Sequence, residues 1–198
     1  EARVSVGIDS ALEGITVLEL GGLSAAFCGH ILRQSGATVT RVEPIGGDAW
    51  RDRPPLVDTA EGAFGAAYLA HNRGKRVLEL DLADADVVIQ QVETADSALL
   101  SWDEVRALSR AIVLVTISHF GMAGPRANWR GADIVDSAMS GLLHLTGIPG
   151  QAPVKIGADQ ALKLGGAEAA AGALVALHWR ESSGQGQHVD TAVRDAVI

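Results

Sequence analysis

Three cations fall within five consecutive residues, Asn72, Arg73, Gly74, Lys75 and Arg76, of a chain whose formal net charge is −8. Gly74 lets the segment fold tightly, and Arg and Lys side chains hold phosphate oxygens through charge-assisted hydrogen bonds. The segment therefore predicts a site for a phosphate or pyrophosphate group. A solvated turn before a strand is the alternative that the residues alone leave open.

Carboxylates and histidines offer fewer candidates for catalysis. Asp159 precedes a long helix, so its carboxylate is a candidate helix cap or, as the second choice, a nucleophile. We interpret Asp133, which opens another helix, as an N-cap. His119 lies in a glycine loop without a nearby Ser–Asp pair to complete a triad. The six histidines lack the spacing of metal ligands, and we expect no metal.

Composition narrows the class of protein. Apolar residues make up 47% of the 198 residues and charged residues 20%, which is typical of a globular domain. The acidic charge argues against nucleic-acid or anionic-membrane partners. Cys28 is the only cysteine, which excludes an internal disulfide and fits a reducing compartment. With no membrane-spanning run and no signal-peptide pattern, we expect a cytoplasmic protein.

A strand, a glycine loop and a helix form the stretch that should position these groups. Residues 111–117 are a continuous, β-branched apolar run, which predicts a strand buried on both faces. Glycines and Pro125 interrupt the pattern after Ser118, and helical periodicity runs from Asp133 to Gly147. Open α/β sheets build ligand crevices from such loops at strand carboxyl ends. An ordinary βα connection is the alternative.

The remaining pattern predicts an α/β fold with parallel strands. Further strands are predicted at residues 15–20, 37–43, 77–82, 98–100 and 188–191. Helices are predicted at residues 26–34, 62–71, 84–93, 102–108, 161–179 and 193–198. Small residues along 161–179 indicate close approach of another backbone, within the domain or across a dimer. Gly21, Gly22 and Gly29 lack the G-x-G-x-x-G spacing, and we expect no nicotinamide cofactor.

Taken together, the motifs resemble the class III CoA-transferase family (CaiB/BaiF type), relatives of formyl-CoA transferase and α-methylacyl-CoA racemase. The matching stretches are LEGITVLEL, SGATVTRVEPIGGDAWR, NRGKR with VLELDL, SHFGMAGP, ADIVDSAMSGLLHLTG and ALVALHWRESSGQGQHVDTAVRDAV. They follow the family's order over nearly the whole chain. The resemblance implies a Rossmann-like, mostly parallel sheet flanked by helices. It also implies that residues 1–198 are a single large-domain portion, without the family's smaller second domain.

The resemblance further implies coenzyme A, as an acyl-CoA substrate, for the basic segment. Asn72, Arg73, Lys75 and Arg76 would lie near its phosphates, and Arg130 near the CoA moiety. Family members pair as interlocked dimers, so a homo-dimer, a hetero-dimer or a fusion with a second CoA-transferase half is expected.

The chain departs from the family at the reacting residues. Transferases of this family use an aspartate that attacks the acyl-CoA carbonyl, and an ungapped match puts Leu162 at that position, with Asp159 three residues earlier. The racemase histidine is replaced by Ala132. The family's Asn-Phe-Arg-Pro-Gly loop is absent, with Ser101 and Trp102 at its start.

Three hypotheses follow from these departures. The first is a degenerate or non-catalytic half or subunit of a CoA-transferase that handles acyl-CoA thioesters. The second is an active acyl-CoA:carboxylate CoA-transferase that uses Asp159. The third is a structural or interaction module without CoA binding.

Overall fold

The structure, a computed structural model, describes residues 10–44, 46–77 and 82–198, without the side chain of Ala83. The strands are β1 Thr16–Leu20, β2 Thr38–Val42, β3 Leu56–Thr59, β4 Gly62–Gly65, β5 Arg76–Val77, β6 Val87–Gln91, β7 Val113–Ser118 and β8 His188–Ala192. The helices are α1 Leu23–Gln34, α2 Ala66–Asn72, α3 Trp102–Leu108, α4 Asp133–Met139, α5 Gln160–Ser183 and α6 Val193–Ala196. Short 3₁₀ turns cover Leu82–Asp84, Ala95–Ser97 and Leu142–Leu145.

Six strands form one parallel sheet in the order β5-β2-β1-β6-β7-β8. Numbered along the chain within this sheet, that order is 3-2-1-4-5-6, the order of doubly wound dinucleotide-binding folds. Strands β3 and β4 form a separate antiparallel hairpin. The predicted α/β class with a Rossmann-like parallel sheet is therefore confirmed.

The core lies on both faces of this sheet. Helices α1 and α5 cover one face, where the fully buried side chains of Val17, Val87 and Val115 belong to one apolar cluster. On the other face, Val105 of α3 packs with the buried Leu114. Each such side chain contributes about 1.5–3 kcal/mol by leaving water.

Small residues let α5 pack directly on α1. A Cβ atom at Gly166 would lie 2.5 Å from the carbonyl oxygen of Ser24. A Cβ atom at Gly165 would likewise lie 2.8 Å from Val193 Cγ2, and one at Gly172 would lie 2.6 Å from Val189 Cγ1. The close approach predicted for this helix is therefore made within the domain.

Four predicted elements differ from the structure. The helix predicted at 84–93 is wrong: after a 3₁₀ turn, Val87–Gln91 form β6, buried on both faces. The helix predicted at 62–71 begins only at residue 66, because 62–65 pair with β3. Residues 98–100 form no strand. The helix predicted from Asp133 to Gly147 ends at Met139 and continues as a 3₁₀ turn.

The other predicted elements agree to within a few residues, and the strand predicted at 77–82 falls mostly outside the described residues. In the described part of the chain, the helices are too short or too polar to cross a membrane. The same residues bring together no group of three or more His, Cys, Asp or Glu side chains suited to a metal ion.

Candidate functional site

The carboxyl ends of the parallel strands gather the candidate residues at one edge of the sheet. The loop after β2 and the glycine loop after β7 follow the carboxyl ends of their strands and so lie at this edge. The start of α5 lies there too, because α5 runs back to the amino end of β8. Ligands of open α/β folds bind at this edge, where the strand order reverses. Here the reversal lies between β1 and β6.

The Gln91 side chain fills this reversal point. Its Oε1 accepts hydrogen bonds from the backbone N–H groups of Ser24, at 2.8 Å, and Ala25, at 3.2 Å. In dinucleotide-binding folds, these first helical N–H groups bind the pyrophosphate. The side-chain amide therefore occupies the position that a dinucleotide would need.

A buried ionic network lies beneath α1. Glu19 and Arg41 face each other in register on β1 and β2 and form a buried ion pair, and Arg41 also binds Asp48. Lys75 Nζ donates to Glu19 Oε2 at 2.7 Å and to Asn72 Oδ1 at 3.0 Å. Burial opposes the charged form of Arg41, but Glu19 and Asp48 outweigh it and raise the pKa of Arg41.

Lys75 is thus placed differently from the sequence-based expectation of a phosphate contact. Its side chain is 1% exposed, and Nζ also donates to the carbonyl oxygen of Ala26 at 2.7 Å. Burial lowers the pKa of Lys75, while Glu19 opposes the shift. The ammonium anchors the segment to the core, and Arg73 and Arg76 remain exposed at the surface.

A cavity of about 330 Å³ adjoins the basic segment. Its walls include Arg51, Phe64, Tyr68, Asn72, Arg73 and Val77. The Arg51 guanidinium lies 4.7 Å from the centre of the Tyr68 ring and donates to both oxygens of Glu43, at 2.8 and 2.9 Å. Burial and the hydrogen bond to Glu43 raise the pKa of Tyr68 to about 12. The cavity combines aromatic and cationic walls, which suits a planar ring carrying phosphate groups.

Arg130 is not part of this cavity. It is exposed near the end of the loop between β7 and α4. The structure therefore brings Asn72, Arg73 and Lys75 together at the cavity and places Arg130 on a separate loop.

Asp159 stands at the N-cap position of α5, but its side chain makes no capping hydrogen bond. Its carboxylate forms ion pairs with Arg53, at 3.0 Å, and Lys155, at 3.1 Å. Both Ala158 and Asp159 have positive φ, 63° and 50°, which is strained for residues with a Cβ. The predicted position of the cap is correct, while the predicted capping bond is wrong.

Asp133 caps a different helix from the one predicted. Ala132 holds the N-cap position of α4, whereas Asp133 Oδ1 accepts the backbone N–H of Leu162 in the first turn of α5, at 3.2 Å. Asp133 Oδ2 also lies 2.8 Å from Lys155 Nζ. Asp133, with the help of Asp159, raises the pKa of Lys155.

Leu162 packs its partly buried side chain against the main apolar cluster. The chain thus has a hydrocarbon side chain in the first turn of α5, three residues after Asp159.

Sequence reasoning missed a buried histidine–carboxylate pair. His119 Nδ1 lies 2.7 Å from Asp136 Oδ2, and Asp136 has no exposed side-chain surface. The partners are 17 residues apart, so spacing alone gave no sign of the pair. The available signal was helical periodicity, because Asp136 lies one turn after Asp133 and both face inward.

Known proteins resemble this chain over most of its length. The family model described as CoA-transferase family III matches residues 12–198. Succinyl-CoA–D-citramalate CoA-transferase of Chloroflexus aurantiacus is 33% identical, over 94% of this chain and 50% of that protein. The α and β subunits of succinyl-CoA–L-malate CoA-transferase from the same species are each 30% identical over 94% of this chain, covering 45% and 50% of their own lengths.

A solved structure shows the same fold. The crystal structure of a CaiB/BaiF family protein from Brucella suis superposes with a TM-score of 0.88 at 32% identity, over 95% of this chain and 54% of that one. The chain spans about half the length of the curated relatives it matches. From the family match, the parallel sheet and this superposition, the chain belongs to CoA-transferase family III.

Proposed function

We propose that the protein is the CoA-ester-binding, large-domain portion of a class III CoA-transferase and does not itself carry the acyl group. The observation that carries the proposal is the hydrocarbon side chain of Leu162. It stands where the family resemblance calls for the attacking aspartate, and a hydrocarbon cannot form the mixed anhydride.

The cavity beside α2 supports the binding half of the proposal. Arg73 lines it, and Arg76 follows at the edge of the sheet, so both guanidinium groups can reach phosphate oxygens of CoA. Lys75 and Asn72 hold the backbone of this segment against Glu19. Arg130, on the glycine loop, would contact the CoA moiety nearer the thioester, which we place toward the start of α5.

The ion pairs of Asp159 argue against the rival in which this residue is the nucleophile. Arg53 and Lys155 both hold its carboxylate, which would have to leave both cations to attack a thioester. We propose instead that a partner chain, or a second family half, supplies the reacting carboxylate. The relatives that are α and β subunits of one enzyme support such pairing.

Calorimetric titration of the protein with CoA tests the binding claim. We expect saturable binding that weakens about tenfold or more when Arg73 and Arg76 are both changed to Gln, since each loses a charge-assisted contact. The matched control is R106Q/R110Q, in α3 and just before β7, at the amino end of the sheet. Absence of CoA binding by the native protein would leave the interaction module without CoA as the better account.

A further inference from the structure

Gln91, the last residue of β6, packs against the turn that leads from β1 into α1. A Cβ atom at Gly21 would lie 2.8 Å from both the Cβ atom and the backbone oxygen of Gln91. A Cβ atom at Gly22 would lie 3.2 Å from Oε1 of the same side chain. The space beside Gly21 is therefore too small even for a methyl group, and it cannot hold a phosphate group.

The start of α1 has the hydrogen-bond donors of a diphosphate site. The helix has 12 residues and no acidic side chain in its first turn, so its first N–H groups and its dipole would attract an anion. Oε1 of Gln91 accepts the two N–H groups of Ser24 and Ala25 instead, at 2.8 and 3.2 Å. The hydroxyl of Ser24 is fully buried and has no hydrogen-bond partner among the described residues. The Gln91 amide thus takes the place of an anionic ligand.

A second contact point of dinucleotides, the carboxylate that follows β2, is also occupied. In doubly wound folds, an acidic residue about 20 positions after the glycine turn binds the ribose. Glu43 has this position, directly after β2, and accepts hydrogen bonds from Arg51 at 2.8 and 2.9 Å and from the Tyr68 hydroxyl at 2.7 Å. Side chains of the protein therefore fill both positions that a dinucleotide would use.

We infer that Gln91 is a specificity-determining residue: its side chain closes the diphosphate site at the start of α1, so that a diphosphate group binds only at the basic segment. The identification of that ligand as CoA rests on the proposed function, whereas the closure rests on the contacts of Gln91. A dinucleotide cofactor needs the start of α1, and CoA bound at the basic segment does not. Gln91 therefore selects between these two classes of ligand.

Inorganic pyrophosphate is the probe that tests this inference, because it reports phosphate contacts without a ribose or a base. In calorimetric titrations of the full chain, the native protein should bind pyrophosphate, and R73Q/R76Q should abolish the binding. Adding Q91A to R73Q/R76Q should restore it, with an affinity at least about tenfold above that of R73Q/R76Q, because the freed N–H groups make charge-assisted contacts. Undiminished binding by R73Q/R76Q would overturn the inference, and this result does not depend on whether the Q91A variant folds.

Two further variants in the R73Q/R76Q background serve as controls. Q91E keeps the acceptor and adds a negative charge, so the site should stay closed. Q34A, at the exposed carboxyl end of α1, should leave pyrophosphate binding at the background level. Urea unfolding shows whether each variant is folded, and pyrophosphate should raise the unfolding midpoint only of the variant that contains Q91A.

The outcomes separate this inference from the proposed function. A cooperatively unfolding Q91A variant without a gain in pyrophosphate binding, or an equal gain in Q91E, would overturn the role of Gln91 and leave the proposed CoA binding in place. Failure of the native protein to bind CoA, together with the expected gain in the Q91A variant, would overturn the proposed function and support the closure.

Discussion

At the scale of single residues, the charged side chains in the core were the hardest feature to predict from the sequence. The alternation of residues along β1 and β2 predicts that the side chains of Glu19 and Arg41 face solvent. Both side chains are buried instead. Glu19 and Arg41 are 22 residues apart in the sequence, and Lys75 is 56 residues from Glu19. A buried charge is tolerated only when it is paired, and the pairing exists only after β1, β2 and the basic segment come together.

His71 gives a prediction at this scale. Burial, followed by the charges of Lys163, His30 and Lys75, lowers the pKa of His71 to about 4. Between that value and the ordinary value near 6.5, the unfolded chain binds more protons than the folded one, so stability falls as pH falls through this window. The contribution is on the order of 1–2 kcal/mol, allowing for solvent near part of the ring.

Urea unfolding of native protein and H71Q from pH 7 to pH 4 measures this contribution. The native protein should lose more stability over the window than H71Q does. H178Q, at a highly exposed histidine of α5, is the control and should follow the native profile. Parallel profiles for native protein and H71Q would show that His71 titrates normally.

Secondary structure was predictable where the residue pattern had a single interpretation. Alternation in β2 and the long run of Ala, Leu and Gly residues in α5 predicted those elements to within a few residues. The pattern of Val87–Gln91 did not predict its strand, because a short apolar stretch fits a buried strand and a buried helix equally well. Its strand identity comes from pairing with both β1 and β7, which local sequence cannot show.

The contact between α1 and α5 gives a prediction at the scale of elements. The substitution G166A should stabilise the helix by about 1 kcal/mol through helix propensity. Overpacking should destabilise the folded protein by about 1–3 kcal/mol, which outweighs that gain. The added Cβ would meet backbone at Ser24, which cannot rotate away. We therefore expect a net loss of stability in chemical denaturation.

G172A is the matched comparison for that measurement. Its Cβ would meet mainly one methyl group of Val189, so its net cost should be smaller than that of G166A. A stabilised G166A would mean that the two helices do not pack as closely as described.

At the scale of the whole molecule, the family and the parallel sheet could be predicted from the sequence. The contacts of the charged side chains at the candidate site could not. The sequence identified Leu162 and the basic segment. It could not show that Lys75 turns inward or that Arg53 and Lys155 hold Asp159, because these contacts join separate loops. The interlocked pairing expected from the family stays a prediction. Exposed Val175 and Trp179 on α5 mark one face on which to test it.

The central claim is that this chain binds a CoA thioester without forming an acyl-enzyme. The most direct measurement is intact-protein mass spectrometry after incubation with succinyl-CoA, with and without hydroxylamine, beside a family III member that has an aspartate at the position of Leu162. The account predicts a hydroxylamine-sensitive acyl adduct on that relative and none on this chain. A hydroxylamine-sensitive adduct on this chain, mapped to Asp159 and lost in D159N, would contradict it.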